Sequence, residues 1–210
     1  MDIVNPEIER YMATRSARFD EPVLLEMEAE GAERNFPIVG RNVGITLEIL
    51  ARSVRASRVI ELGSGFGYSG YWHSRAVGPG GELHLTDGDP ENERKALDYL
   101  GRAGLLQPVT YHVGDAVTSL NSLDGEFDVV YDDIDKEGYP DAWRAARERI
   151  RIGGLYICDN VLWSGRVLDA APDDTTRVIL EHNALIAEDE RYVSTIVPTR
   201  DGVMVAVRIS

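Results

Sequence analysis

From residue 58 onward, short runs of β-branched and other apolar residues alternate with longer segments in which apolar residues recur every three or four positions. The short runs have the length of strands, and the longer spacing is typical of the buried face of a helix. Five runs predict strands, at residues 58–62, 82–87, 109–113 and 154–158 and in a stretch that begins at Phe127. Strands and helices that alternate in this way form a parallel sheet with helices on both faces.

The C-terminal part of the chain departs from this alternation. A helix near residues 138–150 still lies between the fourth and fifth strands. After a second helix, at residues 175–187, two apolar runs follow at 193–197 and 203–209 with no helix between them. The proline and glycine in residues 198–202 predict a hairpin between the last two runs. The pattern therefore predicts an α/β fold with a seven-stranded, mostly parallel sheet whose last strand is antiparallel.

Residues 1–55 carry helical spacing among many glutamates and arginines. Pro37 and Gly40 interrupt this spacing and predict an extended connection at residues 36–40. One interpretation is a helical cover over one end of the sheet, and the other is that the connection also closes over a ligand. Because the sequence shows no internal repeat or linker, we predict a single domain of residues 1–210 with a helical cover at residues 1–55.

Composition and charge narrow the classes of function. The net charge is −14, and the 22 basic residues, all arginine except Lys95 and Lys136, form no basic run. So acidic a surface repels phosphates, which disfavours nucleic acid as a partner. No apolar run approaches the roughly 20 residues that cross a bilayer, which disfavours a membrane partner. Cys158 is the single cysteine, and the N-terminus lacks the pattern of a signal peptide, so we expect a cytoplasmic protein with a packed thiol.

Polar side chains follow two of the predicted strands. The run that begins at Phe127 ends in Asp132, Asp133, Asp135 and Lys136, and the run at 154–158 ends in Asp159 and Asn160. If the two strands are parallel neighbours, these groups emerge at the edge where open α/β sheets bind ligands. Carboxylates, an amide oxygen and an amine there would form a site for a hard cation with a base beside it. The alternative is that these residues are only polar loops at strand ends.

A glycine-rich turn follows the first strand. Residues 63–70 contain four glycines and lead into a helical pattern, so backbone N–H groups of the turn can approach an anionic ligand. A dinucleotide fingerprint needs glycine where Tyr68 stands, which weakens a pyrophosphate interpretation. Asp87 follows the second strand, at the place where a nucleotide site has a carboxylate for ribose hydroxyls. Asp115 after the third strand is either a helix cap or an adenine contact.

The four histidines give no sign of a metal site. None pairs with another at metal-ligand spacing, so each is expected to be a surface residue or a structural residue with satisfied hydrogen bonds. They are His73, His84, His112 and His182.

The separated motifs together resemble the class I S-adenosylmethionine-dependent methyltransferases, and more narrowly the cation-dependent O-methyltransferases typified by catechol and caffeoyl-CoA O-methyltransferases. The resemblance extends from about Pro37 to the C-terminus. It is carried by residues 61–69, Asp87 and residues 114–116, 133–136, 159–165 and 201–202. The Asp-x-x-Lys motif combined with Asp-Asn is its most specific part.

The resemblance implies a Rossmann-like fold, bound S-adenosylmethionine, and Mg²⁺ or another divalent cation. The implied cofactor-binding residues are Val39, Glu61, Gly63, Ser69, Asp87, Asp115, Ala116 and Asp133. The implied metal ligands are Asp133, Asp159 and Asn160, with Lys136 as the catalytic base. Trp163, Ser164 and Asp201 would line the acceptor pocket.

The sequence departs from the family pattern at two places. Asp132 stands where members usually have an aliphatic residue; because alternation along a strand points it away from Asp133, we assign the metal to Asp133. The loop at residues 166–174 is short and acidic and offers no evident cationic contact for a coenzyme A tail. A small free phenolic acceptor is therefore expected.

We thus expect a metal-dependent methyl transfer to a hydroxyl of a small catechol-like aromatic, by a protein that forms a homodimer. A methyltransferase with a non-catechol acceptor is the alternative within the same fold. An NAD-dependent oxidoreductase is disfavoured by Tyr68, and a non-catalytic nucleotide-binding protein by the intact lysine and metal motif.

Overall fold

The computed structural model describes residues 3–210, apart from the side chain of Ala17, so residues 1 and 2 of the predicted domain and cover lie outside the described residues. The strands are β1 (Arg58–Leu62), β2 (Glu82–Asp87), β3 (Val109–Val113), β4 (Phe127–Asp132), β5 (Ile150–Cys158), β6 (Tyr192–Val197) and β7 (Val203–Arg208). The α-helices are α1 (Pro6–Arg15), α2 (Pro22–Arg34), α3 (Gly40–Ser53), α4 (Tyr68–Val77), α5 (Pro90–Arg102), α6 (Ala116–Ser122), α7 (Tyr139–Ala146) and α8 (Asp174–Ala187). Short 3₁₀ turns cover Ala17–Phe19, Lys136–Gly138 and Trp163–Leu168.

The strands form one seven-stranded sheet in the order β3-β2-β1-β4-β5-β7-β6. Strands β1 to β5 pair in parallel, and β7 runs antiparallel to both β5 and β6. The predicted fold, with the last strand antiparallel, is confirmed. The chain order reverses between β1 and β4, and this switch point is where open α/β sheets have their ligand crevice.

Both faces of the sheet are covered, so β4 is buried along its whole length and β1 along nearly all of it, instead of at every second residue. On one face, Val129 and Ile157 pack with apolar residues of α2 to α5. On the other, Val130 and Tyr156 pack with α6, α7 and α8. Helices α1 to α3 lie within the segment predicted as a helical cover. No helix within residues 3–210 is long and apolar enough to cross a membrane.

The region between α7 and β5 differs from the prediction. The helix ends at Ala146 instead of near residue 150, and β5 begins at Ile150 instead of residue 154. Ile150 is fully buried and pairs with Phe127, with a register shift before Val129. In the sequence, the glycines at 153 and 154 indicate the start of a strand. In the structure they lie inside one longer strand, next to the register shift.

The register of β1, β4 and β5 brings the ends of these strands to one edge of the sheet. Leu62, Asp132 and Cys158 are paired across β1, β4 and β5, so these three strands end at the same level. Asp133 N–H then donates to Leu62 O at 2.9 Å, and Asp159 N–H donates to Asp132 O at 3.2 Å. The glycine-rich turn and the two acidic strand ends are therefore neighbours.

Candidate active site

A cleft of about 960 Å³ opens at the carboxyl edge of the parallel strands. Most residues predicted for the site line it: Val39, Gly63, Ser69, Asp87, Asp115, Ala116, Asp133, Lys136, Asp159, Asn160, Trp163 and Asp201. Ser164 lines a smaller adjoining pocket of about 320 Å³, which shares Asn160 and Asp201 with the cleft. Glu61 lines neither.

The glycine-rich turn lies tightly against β2 and the end of β4. Gly63 has φ +80°, and a Cβ atom there would lie 2.5 Å from the backbone oxygen of Asp133. Gly65 N–H donates to Asp87 Oδ2 at 3.0 Å, and Ser64 N–H donates to Thr86 O at 2.7 Å. Only glycine combines this positive φ with so close a backbone approach. A side chain at position 63 would therefore push the turn away from the end of β4.

Glu61 lies behind the wall of the cleft. Its side chain is fully buried, Oε1 accepts a hydrogen bond from the Ser69 hydroxyl, and Oε2 has no partner among the described residues. Burial raises the pKa of Glu61 to about 8. In this structure Glu61 can act on a ligand only through Ser69, so its direct contact with the cofactor stays a prediction.

Asp87 and Asp115 mark the other end of the cleft. Asp87 Oδ1 accepts from Asp89 N–H at 2.8 Å and from the Asn92 amide at 3.1 Å, which fixes the carboxylate. Asp115 caps α6 by accepting from Thr118 N–H at 2.7 Å, and hydrogen bonding to the Thr118 hydroxyl and N–H lowers the pKa of Asp115. Asp115 also lines the cleft, so capping and ligand contact are compatible at this residue.

Asp133, Asp159 and Asn160 converge at the ends of β4 and β5. Burial and the nearby charge of Asp159 raise the pKa of Asp133 well above its usual range, and burial raises that of Asp159 to about 6. Asp159 Oδ1 is buried and has no hydrogen-bond partner within the described part of the chain. Asn160 has φ +57°, a strained conformation for a residue that is not glycine. An unpaired carboxylate oxygen, a second carboxylate and an amide oxygen fit a divalent oxygen-binding cation.

Lys136 stands beside this acidic group, on the 3₁₀ turn that follows β4. Its Nζ atom donates to Tyr139 Oη at 2.6 Å and to Asn160 Oδ1 at 3.0 Å, and lies 3.9 Å from Asp133 Oδ1. The side chain is only 14% exposed, and it lines the cleft. The amine is therefore held in the cleft beside the carboxylates.

Asp132 points away from the cleft, as strand alternation predicts. It is fully buried, and its Oδ2 accepts a hydrogen bond of 2.6 Å from Tyr156 Oη. The Tyr156 hydroxyl also lies 3.0 Å from His182 Nε2 on α8. Burial raises the pKa of Asp132 to about 7 and lowers that of His182 to about 4. Asp132 thus links the end of β4 to β5 and α8 through the Tyr156 hydroxyl, and it does not face the cleft.

The histidine prediction is wrong at His73, and the sequence did not reveal a contact between two other histidines. His84 and His112 stack across β2 and β3 with Nδ1 and Nε2 3.1 Å apart, a neighbourhood that sequence spacing cannot reveal. His73 is fully buried, and neither ring nitrogen has a hydrogen-bond partner among residues 3–210. It is therefore not a satisfied structural residue. Burial lowers its pKa to about 4 and keeps it neutral.

The acceptor side of the cleft is built on strained backbone. Trp163 and Ser164 have φ +48° and +52°, and the Ser164 N–H donates to the Asp201 carboxylate. Arg200, in the hairpin before β7, has φ +49°, lines the cleft, and donates to Ile38 O across the cleft mouth. The hairpin thereby joins the loop after β5 to the connection at residues 36–40. Sequence analysis missed Arg200 and Tyr139, because their contacts cross between distant segments.

Comparisons with known proteins agree with this geometry. The family model described as O-methyltransferase matches residues 13–209. A catechol O-methyltransferase of Niastella koreensis is 30% identical over 201 residues, which cover 90% of this chain and 91% of that protein.

Solved structures give the same result. The O-methyltransferase TomG of Streptomyces achromogenes, involved in tomaymycin synthesis and solved with SAM, has a TM-score of 0.86 and 26% identity, over 94% of this chain and 95% of that one. An O-methyltransferase of Bacillus cereus, solved with SAH, has a TM-score of 0.83 and 27% identity, over 93% and 96%. The fold, the site and the family match over nearly the whole length together establish that this chain belongs to the O-methyltransferase family.

Proposed function

We propose that the protein transfers a methyl group from S-adenosylmethionine to a hydroxyl of a small catechol-like aromatic acceptor, with the help of a divalent cation. The observation that carries this proposal is the convergence of Asp133, Asp159, Asn160 and the Lys136 amine on one edge of the cleft. The similarity to a protein named catechol O-methyltransferase supports the choice of acceptor.

The cofactor fits the part of the cleft between the glycine-rich turn and Asp115. The fixed carboxylate of Asp87 would accept hydrogen bonds from the ribose hydroxyls. Asp115 and Ala116 would contact the adenine. Gly63 and Ser69, backed by Glu61, would hold the methionine part, with Val39 and Asp133 beside it. The similarity to proteins solved with SAM and SAH supports this placement.

The cation fits the oxygen atoms of Asp133, Asp159 and Asn160. When bound, such a cation would neutralise the two carboxylates and lower the pKa of a coordinated phenol, which is about 10 when free. Asp159 contributes an oxygen that no protein group satisfies among the described residues. A bound cation would therefore offset the cost of keeping this buried carboxylate oxygen without a partner.

Lys136 is the base in this proposal. Methyl transfer from a sulfonium is an in-line displacement, so the acceptor oxygen must be held close to the methyl carbon. Lys136 Nζ takes the hydroxyl proton as the oxygen attacks. Its place between Asn160 and the cleft puts the amine within reach of an acceptor that the cation holds.

The acceptor would lie against Trp163, Ser164 and Asp201. Residues 166–174 supply three carboxylates, one arginine and no lysine, and the described lining of the cleft contains Arg200 as its cationic side chain besides Lys136. This environment suits a small free phenol better than a polyanionic carrier.

The test is a cofactor titration combined with an acceptor screen. Isothermal titration should show binding of S-adenosylmethionine but not of NAD. Mass spectrometry should then detect a monomethylated product from catechol with S-adenosylmethionine and Mg²⁺. Binding of NAD in place of S-adenosylmethionine would contradict the proposal. Methylation of acceptors that lack vicinal hydroxyls, with none of catechol, would contradict the catechol assignment.

A further inference from the structure

Tyr139 is the closest polar neighbour of the Lys136 amine. Its hydroxyl oxygen lies 2.6 Å from Lys136 Nζ and 2.8 Å from the backbone oxygen of Asp159. A carbonyl oxygen only accepts, so the single hydroxyl proton of Tyr139 goes to Asp159. Toward Lys136 the hydroxyl can therefore only accept.

A second acceptor fixes the amine from another direction. Asn160 Oδ1 accepts from Lys136 Nζ at 3.0 Å. The next candidates are weaker, because Ile134 O lies at 3.5 Å and Asp133 Oδ1 at 3.9 Å. Two short hydrogen bonds thus set the rotation of the amine about its last carbon–nitrogen bond.

Tyr139 is rigid enough to impose that rotation. Its side chain is fully buried at the start of α7, and Pro140 follows it. Its ring lies 5.0 Å from the ring of His182, which α8 holds against the Tyr156 hydroxyl. The hydroxyl is therefore fixed by packing before any ligand binds.

We infer that Tyr139 is a positioning residue for the base, on the premise that Lys136 is the base of the proposed methyl transfer. In the neutral amine, one N–H donates to Tyr139, the other donates to Asn160, and the lone pair is left for the acceptor hydroxyl. The acceptor O–H proton moves to that lone pair while the O–CH₃ bond forms and the sulfonium S–CH₃ bond breaks. Tyr139 neither gains nor loses a proton.

A purely structural function of Tyr139 makes a different prediction. If the hydroxyl only ties α7 to the end of β5, its loss lowers turnover equally for every acceptor. If it orients the base, its loss matters only for acceptors that need deprotonation. A nitro-substituted catechol is already ionised near neutral pH, whereas catechol is protonated there.

The test compares the kcat of the full chain on catechol and on 4-nitrocatechol, with S-adenosylmethionine and Mg²⁺ at saturation. For Tyr139→Phe we expect kcat on catechol to fall at least about tenfold, part of the 10²–10⁴ that a general base supplies. We expect kcat on 4-nitrocatechol to change less than about threefold and the KM for S-adenosylmethionine to stay the same. Because both acceptors are measured on one preparation, partial unfolding cancels in the ratio.

Tyr131→Phe is the matched control, since Tyr131 is equally buried and its hydroxyl has no hydrogen-bond partner within the described chain. It should leave the ratio of the two kcat values unchanged. If Tyr139→Phe does not bind S-adenosylmethionine, Tyr139→Met, which keeps much of the buried volume, is measured in the same way. Equal falls on both acceptors, or no fall on catechol, would overturn the inference. An inactive wild type, or a fully active Lys136→Ala variant, would instead overturn the proposed function.

Discussion

The surroundings of single residues decide what each can do in this cleft. Four acids end or follow β4 and β5. Asp133, Asp135 and Asp159 line the cleft, whereas Asp132 accepts a hydrogen bond from Tyr156 on the opposite face. The two-residue period of a strand made that division predictable from the sequence. Their environments were not predictable, because the unpaired oxygen of Asp159 depends on segments far apart in the chain.

Lys136→Ala tests the base directly. Without the amine, the cleft loses the base that is held beside Asn160 for the acceptor hydroxyl, so kcat should fall by about 10²–10⁴. The affinity for S-adenosylmethionine, measured by isothermal titration, should change little. Lys95→Ala is the natural control, because Lys95 is the other lysine of the chain and pairs with Glu30 outside the cleft. Near-normal turnover of Lys136→Ala would exclude the base function.

Gly63→Ala tests the close approach of the glycine-rich turn. The added Cβ would lie 2.5 Å from Asp133 O, in a backbone conformation with φ +80°. If cofactor binding needs the turn in this position, strain of roughly 1–3 kcal/mol corresponds to about a 5- to 150-fold loss of affinity for S-adenosylmethionine. Gly80→Ala should be neutral, since a Cβ there meets nothing within 4 Å. Normal cofactor binding by Gly63→Ala would mean that the turn can move away from Asp133 without cost.

At the scale of elements, the site depends on strands that end level with one another. The alternation of strands and helices predicted β1 to β4 closely, because their apolar runs are short and bounded by glycine or polar residues. It failed at the start of β5, where Gly153 and Gly154 lie inside a strand instead of before it. The contact between His84 and His112 could not be predicted for a related reason: the spacing of residues along the chain does not determine the register between β2 and β3.

Asp128 anchors the opposite end of β4. Its Oδ2 accepts from the backbone N–H groups of Ser57 and Arg58, both at 2.7 Å, and its Oδ1 pairs with Arg151. These partners outweigh burial and lower the pKa of Asp128. Asp128→Asn should therefore lower the free energy of unfolding by about 1–3 kcal/mol at pH 7, measured by urea denaturation, with kcat little changed.

The pH dependence of this effect has a definite sign. Because the folded pKa of Asp128 is depressed, its stabilisation is present above the unfolded value of about 3.9 and is lost as pH falls through the folded pKa. The difference between wild type and Asp128→Asn should shrink below about pH 4. Asp141→Asn, at a side chain that is 77% exposed, should cost little at any pH. A difference that does not vary with pH would contradict the charged state of Asp128.

At the scale of the whole molecule, acidic side chains of α2 bind the N-terminal cover to α4 and α5. Glu28 accepts from Tyr68 Oη at 2.8 Å, and Glu30 pairs with Lys95 on α5. Phe36 and Ile38, in the connection after α2, line the cleft, so this connection also forms part of the cleft wall. The sequence left both interpretations of this connection open, because the helical spacing of residues 1–55 carries no information about where the cover docks.

The central claim is that a divalent cation in the acidic end of the cleft is needed for methyl transfer. The decisive measurement is the rate of catechol methylation against Mg²⁺ concentration, after treatment with a chelator, for wild type and Asp159→Asn. Asp174→Asn, which removes a charge from a side chain that is 98% exposed, serves as the control. We predict that the chelator abolishes wild-type turnover, that Mg²⁺ restores it, and that Asp159→Asn needs at least about tenfold more Mg²⁺. Full wild-type turnover in the chelator without added Mg²⁺ would contradict the claim.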